Sequence, residues 1–191
     1  MNTPNKLTLV RIALVPFFLF LLLAEFPFHY FGAFLVFGAA SLTDYFDGML
    51  ARRDNLVTDF GKFLDPIADK LLTTAALLGF VAKGIGAGTV WVVFLVLARE
   101  FLISSLRMIA AAKGTVLAAD LWGKAKTVFQ MATILVILFL QGIFDILGMG
   151  FWLYLPCQWL YTVLLWVSAL LTAMSGVNYL VKNKDCLSFK K

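Results

Sequence analysis

Charge is scarce in this chain. Asp, Glu, Lys and Arg make up 14% of its 191 residues, against about 25% in an ordinary soluble domain. The hydrophobic set reaches 62% and the mean hydropathy is +0.92. That imbalance excludes a soluble globular protein, a disordered chain and a nucleic-acid-binding module. Histidine is nearly missing, with His29 the only one, so a Ser–His–Asp triad has little support and no imidazole or thiol cluster suits zinc. Two cysteines, Cys157 and Cys186, are too few for a disulfide framework. Cys157 is expected to pack inside and Cys186 to lie in a tail. No G-x-x-x-x-G-K-[ST] run occurs. Gly84-Ile85-Gly86-Ala87-Gly88 does not fit G-x-G-x-x-G and reads as a turn. Low-complexity segments, solenoid repeats and flexible linkers are absent.

What the chain has in abundance is long apolar runs. They cover about Leu7 to Phe26, Tyr30 to Leu50, Asp65 to Ala82, Thr89 to Ala112 and Leu121 to Phe144. A sixth lies within Phe151 to Val181, with a short interfacial piece expected before Pro156. A transmembrane helix needs roughly 20 apolar residues, so six would use roughly 120. The expectation is an all-α integral membrane protein of six transmembrane helices, forming a single domain over residues 1–191. The first run ends LLLAEFPFHY, which offers no convincing cleavage site. It is therefore read as a retained helix, with room for a short amphipathic start on the membrane surface.

Lys and Arg favour the cytoplasmic side of a membrane protein. None occurs in Glu25 to His29 or in Phe144 to Trp152, and only Lys83 lies near the turn between the third and fourth runs. The other 15 of 16 sit at the termini or in and beside the alternate connections. An N-in, C-in chain satisfies this pattern. It puts Phe26, Phe28, Tyr30, Trp91, Trp152, Tyr154 and Trp159 at the outer interface, together with His29.

Ser41 to Lys70 holds six of the eleven acidic residues. Asp44 and Asp47 are spaced i, i+3, and Asp65 and Asp69 i, i+4. Each pair shares a helix face, and two antiparallel helix ends would bring the pairs together near the membrane surface. Four carboxylates in one place repel, and desolvation adds to the cost. Hard oxygen ligands of this kind suit a divalent cation, Mg²⁺ or Mn²⁺ where phosphate is handled. Gly48 and Gly61 would let a bulky ligand approach the backbone. Plainer readings stand beside this one. Asp65 before Pro66 resembles an N-cap followed by proline at the first helical position, which is compatible with a ligand role. Asp54 and Asp59 read as solvated. A salt-bridge network with Arg52, Arg53 and Lys70 would also compensate the acids.

The full spacing Asp44-x2-Asp47-Gly48-x2-Ala51-Arg52-x8-Gly61-x3-Asp65-x3-Asp69 resembles, without a departure, the signature of the CDP-alcohol phosphotransferases. Further segments are similar to the bacterial branch of that family that uses glycerol 3-phosphate: PNKLTLVRI at Pro4 to Ile12, FGKFLDPIADKLL at Phe60 to Leu72, ARE at Ala98 to Glu100, SLR at Ser105 to Arg107 and GKAKT at Gly123 to Thr127. The last span is apolar and adds little. The resemblance implies a six-helix enzyme of the bacterial cytoplasmic membrane, commonly a homodimer, with its site facing the cytoplasm. It implies transfer of the phosphatidyl group from CDP-diacylglycerol to sn-glycerol 3-phosphate, with release of CMP. Asp44, Asp47, Asp65 and Asp69 would hold Mg²⁺ or Mn²⁺, and Asp69 would also be the general base. Gly48, Ala51, Arg52 and Gly61 would face the donor nucleotide.

The acceptor phosphate needs cations, and Arg99, Arg107, Lys124 and Lys126 cluster around the fourth and fifth runs. Arg suits bidentate phosphate contact and Lys point-charge attraction. Snorkelling to the interface is the plainer reading for Arg107 and Lys124, and more so for Lys113. A mutual ion pair is the alternative for Arg99 and Glu100. Arg11, inside the first run, is a further candidate for the substrate cavity. A relative using phosphatidylglycerol, inositol phosphate or serine as acceptor is the nearest competing reading. Transfer of the phospholipase-D kind, with its repeated His/Lys/Asp motifs, has no support. An ion transporter is disfavoured because the acids crowd one membrane face and no inverted repeat is visible.

Overall fold

A computed structural model describes residues 3–53, 59–112, 114, 121–147 and 151–184. Among these residues six helices run α1 Thr3–Leu23, α2 His29–Arg53, α3 Asp59–Ala82, α4 Thr89–Ala112, α5 Leu121–Leu147 and α6 Phe151–Lys182. Among the described residues there is no strand. The fourth helix has the expected limits, and the fifth extends three residues past Phe144.

One reading of the sequence is corrected. Asp65 is not an N-cap, because α3 begins at Asp59 and carries Asp65 inside it. Helix α6 is continuous from Phe151 through Pro156. Pro156 is the sixth residue of α6, so its missing N–H costs one bond near an end already rich in unpaired groups.

Among the described residues, three helical segments are long and apolar enough to cross a membrane: Thr89–Ala111, Leu121–Leu147 and Leu155–Lys182. Within the described side chains, the apolar stretches of the other three helices are Leu7–Leu23, His29–Thr43 and Lys70–Ala82.

The described chain forms two compact units, one of residues 1–84 and 134–155, the other of residues 85–133 and 156–191. In the first, α1 packs against both α2 and α3. The Phe18 and Phe37 rings meet at 5.6 Å, and the His29 Nδ1 lies 3.0 Å from the Leu21 carbonyl oxygen. Phe18 is near the end of α1 and Phe37 near the start of α2, so these helices are antiparallel. Gly79, near the end of α3, lies against Leu22 so closely that a Cβ there would collide with it. Hence α3 runs alongside α1 and opposite to α2. Lys83 donates to the Ala24 carbonyl oxygen at 3.2 Å, satisfying a helix-end acceptor. The one lysine that departs from the charge asymmetry thus serves the end of α1. Phe28, with φ of 69°, donates its N–H to Asp145 Oδ2 at 3.0 Å, tying the α1–α2 turn to the end of α5.

In the second unit the turn after α3 docks on α6. Gly86 donates to Gln158 Oε1 at 2.7 Å, Ala87 donates to Thr162 Oγ1 at 2.8 Å, and Trp166 Nε1 donates to the Ala87 carbonyl at 3.1 Å. Gly84, Gly86 and Gly88 have φ of 65°, 76° and 71°, as the turn reading requires. A Cβ on Gly86 would also sit 2.8 Å from Leu165 Cδ1.

The surface is apolar on every helix: Phe20, Leu35, Leu78, Phe101, Val128 and Leu170 are all exposed. Meanwhile Lys126, Gln130, Thr133, Ser168, Thr172 and Ser175 are buried. Water would penalise so much exposed hydrocarbon, and a lipid surround does not.

Candidate active site

The acidic segments occupy the first unit. Asp44 and Asp47 lie in the last three turns of α2, and Asp65 and Asp69 in the second and third turns of α3. Because α2 and α3 are antiparallel neighbours in sequence, these stretches lie at the same end of the unit. At about 1.5 Å per residue, Asp44 is roughly 14 Å from the end of α2, and Asp65 and Asp69 are roughly 9 and 15 Å from the start of α3. The side-chain positions of Asp44, Asp47, Gly48, Ala51, Arg52, Gly61, Asp65 and Asp69 lie outside the described residues, as do Asp54 and Lys113. Among the residues that are described, no group of three or more Asp, Glu, His or Cys side chains is placed to hold a metal. Arg11 on α1 is buried, at 2% exposure, beside buried Thr8.

The remaining candidate cations occupy the second unit and fall into two kinds. Arg99 and Lys126 are engaged by one carboxylate. Arg99 Nη1 lies 3.2 Å from Glu100 Oε1, and the buried Lys126 ammonium pairs with the same oxygen. The ion pair weighed for Arg99 and Glu100 is therefore present. Arg99 Nη2 also donates to Ser175 Oγ at 2.9 Å. Gly176 makes room for that arginine: a Cβ there would fall 2.9 Å from Arg99 Cγ. Gly123 sits on the other side, its Cβ position 3.7 Å from Arg99 Nη2.

Arg107 and Lys124 are the second kind. Both are exposed. Arg107 donates Nε–H to the Tyr179 hydroxyl at 3.1 Å, and its guanidinium carbon stands 5.4 Å from the Tyr179 ring centroid. Its terminal nitrogens have no hydrogen-bond partner among the described residues. This geometry matches a cation held from one edge, with the fork that suits phosphate left outward.

Sequence reasoning passed over Ser175, Gly176 and Tyr179. A signal was available in α6: Ser168, Thr172, Ser175 and Tyr179 are spaced by four, three and four residues, one face of a helix, and all four are buried. In a helix this hydrophobic the polar stripe was outweighed by overall apolarity.

Comparison with known proteins agrees with the motif. The family model described as CDP-alcohol phosphatidyltransferase matches residues 1–174. The CDP-diacylglycerol–glycerol-3-phosphate 3-phosphatidyltransferase of Bacillus subtilis is 38% identical, over 97% of each chain. The protein of the same name from Rickettsia bellii is 36% identical, over 93% of each. A probable phosphatidylglycerophosphate synthase of Mycobacterium tuberculosis is 36% identical, over 95% of this chain and 81% of its own.

Proposed function

Since the chain belongs to the CDP-alcohol phosphatidyltransferase family, we propose that it transfers the phosphatidyl group of CDP-diacylglycerol to sn-glycerol 3-phosphate, giving phosphatidylglycerophosphate and CMP. The observation that carries this is the full eight-position signature on α2 and α3 in a chain whose named relatives, matched over nearly their whole length, bear that activity in their names.

Helix spacing supports a site between these two helices. Ala33, Phe37 and Ala40 are wholly buried. The alternation of four and three residues that defines their row continues to positions 44 and 47. On α3, Leu72 and Ala76 are buried, and the same alternation runs back to positions 69 and 65. Carboxylates continuing an inward row need a cation, and an all-oxygen donor set fits Mg²⁺ or Mn²⁺ better than zinc. Asp44, Asp47 and Asp65 would hold it, with Asp69 as a further ligand. When bound, such an ion offsets the charge of the phosphoanhydride oxygens and of the departing CMP.

The protein's own groups do the rest. Asp69 accepts the proton of the glycerol hydroxyl as that oxygen bonds to phosphorus and the phosphoanhydride bond breaks. The small positions Gly48, Ala51 and Gly61, with Arg52, receive the nucleotide. Diacyl chains stay in the bilayer. Arg107 and Lys124 attract the acceptor phosphate; Arg99 and Lys126, engaged by Glu100, brace the helices that carry them. Arg11 lines the substrate cavity. The enzyme has six spans with both termini and the site on the cytoplasmic side of a bacterial inner membrane, and it acts as a homodimer.

The deciding experiment measures CMP release from CDP-diacylglycerol by the purified protein with glycerol 3-phosphate, inositol phosphate, serine or phosphatidylglycerol supplied singly. Release with glycerol 3-phosphate alone is expected. Preference for another acceptor moves the protein to a different branch of the family.

A further inference from the structure

Helices α4 and α6 run in the same direction in the second unit, since Ala87, Arg99 and Arg107 meet Thr162, Ser175 and Tyr179 in that order. Each α4 arginine thus meets a polar group of α6. At Arg107 the contact is of two kinds at once. The hydroxyl of Tyr179 accepts from Nε at 3.1 Å, and the ring lies 5.4 Å from the guanidinium carbon. Tyr179 is itself fixed: it is 3% exposed and packs in a small cluster with Ile103, Leu106 and Leu180. A long, exposed arginine loses considerable rotamer freedom when it binds an anion. A buried tyrosine that accepts from Nε, with its ring centroid 5.4 Å from the guanidinium carbon, removes that freedom beforehand and leaves both terminal nitrogens outward.

We infer that Tyr179 is a positioning residue that pre-sets Arg107 to receive the phosphate of the acceptor. This rests on Arg107 being an acceptor-phosphate group, as argued above. The hydroxyl acts as hydrogen-bond acceptor and the ring as a cation–π platform, and Tyr179 itself takes no part in the bond changes.

The test is a double-mutant cycle on the full-length protein in lipid-containing detergent micelles, using Tyr179→Phe, Arg107→Ala and the pair. Phenylalanine keeps the ring and its packing and removes only the acceptor oxygen. Tyr179→Phe is expected to raise the KM for glycerol 3-phosphate about three- to tenfold, leaving the KM for CDP-diacylglycerol and kcat near their original values. In the Arg107→Ala background it is expected to have no further effect. Tyr179→Leu, which also removes the ring, is expected to raise the same KM further. An unchanged acceptor KM in Tyr179→Phe, or an equal rise with and without Arg107, overturns the inference while leaving the activity and the role of Arg107 intact. An acceptor KM unmoved by Arg107→Ala overturns the assignment of Arg107 itself, and the role of Tyr179 with it.

Discussion

Lys126 of α5 and Glu100 of α4 form an ion pair inside the second unit, with the lysine side chain 8% and the glutamate side chain 19% exposed. Arg99 shares the same carboxylate oxygen. One anion thus fastens two cations that charge counting alone would offer to a phosphate. Arg107 and Lys124, by contrast, are exposed, as the proposed acceptor-phosphate role requires.

Removing the shared carboxylate should therefore be costly. Glu100→Gln takes from the buried Lys126 ammonium the carboxylate oxygen that it shares with Arg99, a loss of about 3 kcal/mol. For a chain of this size that lowers the thermal midpoint by about 6–12 °C. Replacing both partners with apolar residues, Glu100→Leu with Lys126→Met, should recover only part of the loss, because the lysine charge is gone while Arg99 still loses the shared carboxylate and keeps Ser175. Unfolding of the detergent-purified variants followed by tryptophan fluorescence checks this. An unchanged midpoint in Glu100→Gln would show the pair to be dispensable.

The exposed cations should behave differently. Arg107→Ala or Lys124→Ala is expected to raise the KM for glycerol 3-phosphate by about 10- to 100-fold, the loss of one charge-assisted contact of about 1.5–3 kcal/mol. The midpoint of unfolding should scarcely move. If the KM for CDP-diacylglycerol rises instead, these side chains serve the donor.

The acids separate by role. Asp69→Asn keeps the shape of the side chain and loses the ability to take a proton, so kcat should fall by about 10²–10⁴ while the donor nucleotide still binds in the presence of metal. Asp44→Asn or Asp47→Asn should weaken metal-dependent nucleotide binding as well as turnover, with partial rescue at raised Mg²⁺ or Mn²⁺. Chelation should abolish turnover of the unaltered protein. Equal loss of nucleotide binding in Asp69→Asn and Asp44→Asn would make Asp69 a ligand rather than the base.

Orientation is tested on intact cells. In a background with Cys157 and Cys186 replaced by serine, a cysteine at Asn55 should resist an impermeant thiol reagent from outside and react once the membrane is opened. Ready labelling from outside would invert the topology.

Close helix contact makes a fifth kind of test. Gly79 on α3 admits Leu22 of α1 where any Cβ would collide. Gly79→Ala should destabilise the protein by about 1–3 kcal/mol, the usual penalty for overpacking, measured as a lowered midpoint. A midpoint at or above the original would mean that α1 and α3 can part without cost.

Six helices, both limits of α4, the end of α3 and the start of α5 were legible in the sequence, because hydrophobicity and backbone hydrogen bonding act over a few residues and leave runs that can be counted. The start of α4 at Thr89 follows a turn of three glycines whose positive φ values no other residue adopts cheaply. The acid spacing on α2 and α3 was equally local, a matter of three- and four-residue steps along a helix. Where α3 begins was not legible. Asp59 to Leu64 joined α3 although polar sequence and Pro66 argued for a later start. The Arg99–Glu100 pair could be weighed from sequence, but not that Lys126 joins it on the same oxygen. That depends on how each helix is rotated about its axis, and a helix apolar on most sides carries almost no pattern to set its rotation. Tertiary packing decided it: Gly176 and Gly123 leave space for Arg99, Glu100 turns toward Lys126, and the buried polar face of α6 brings Tyr179 under Arg107.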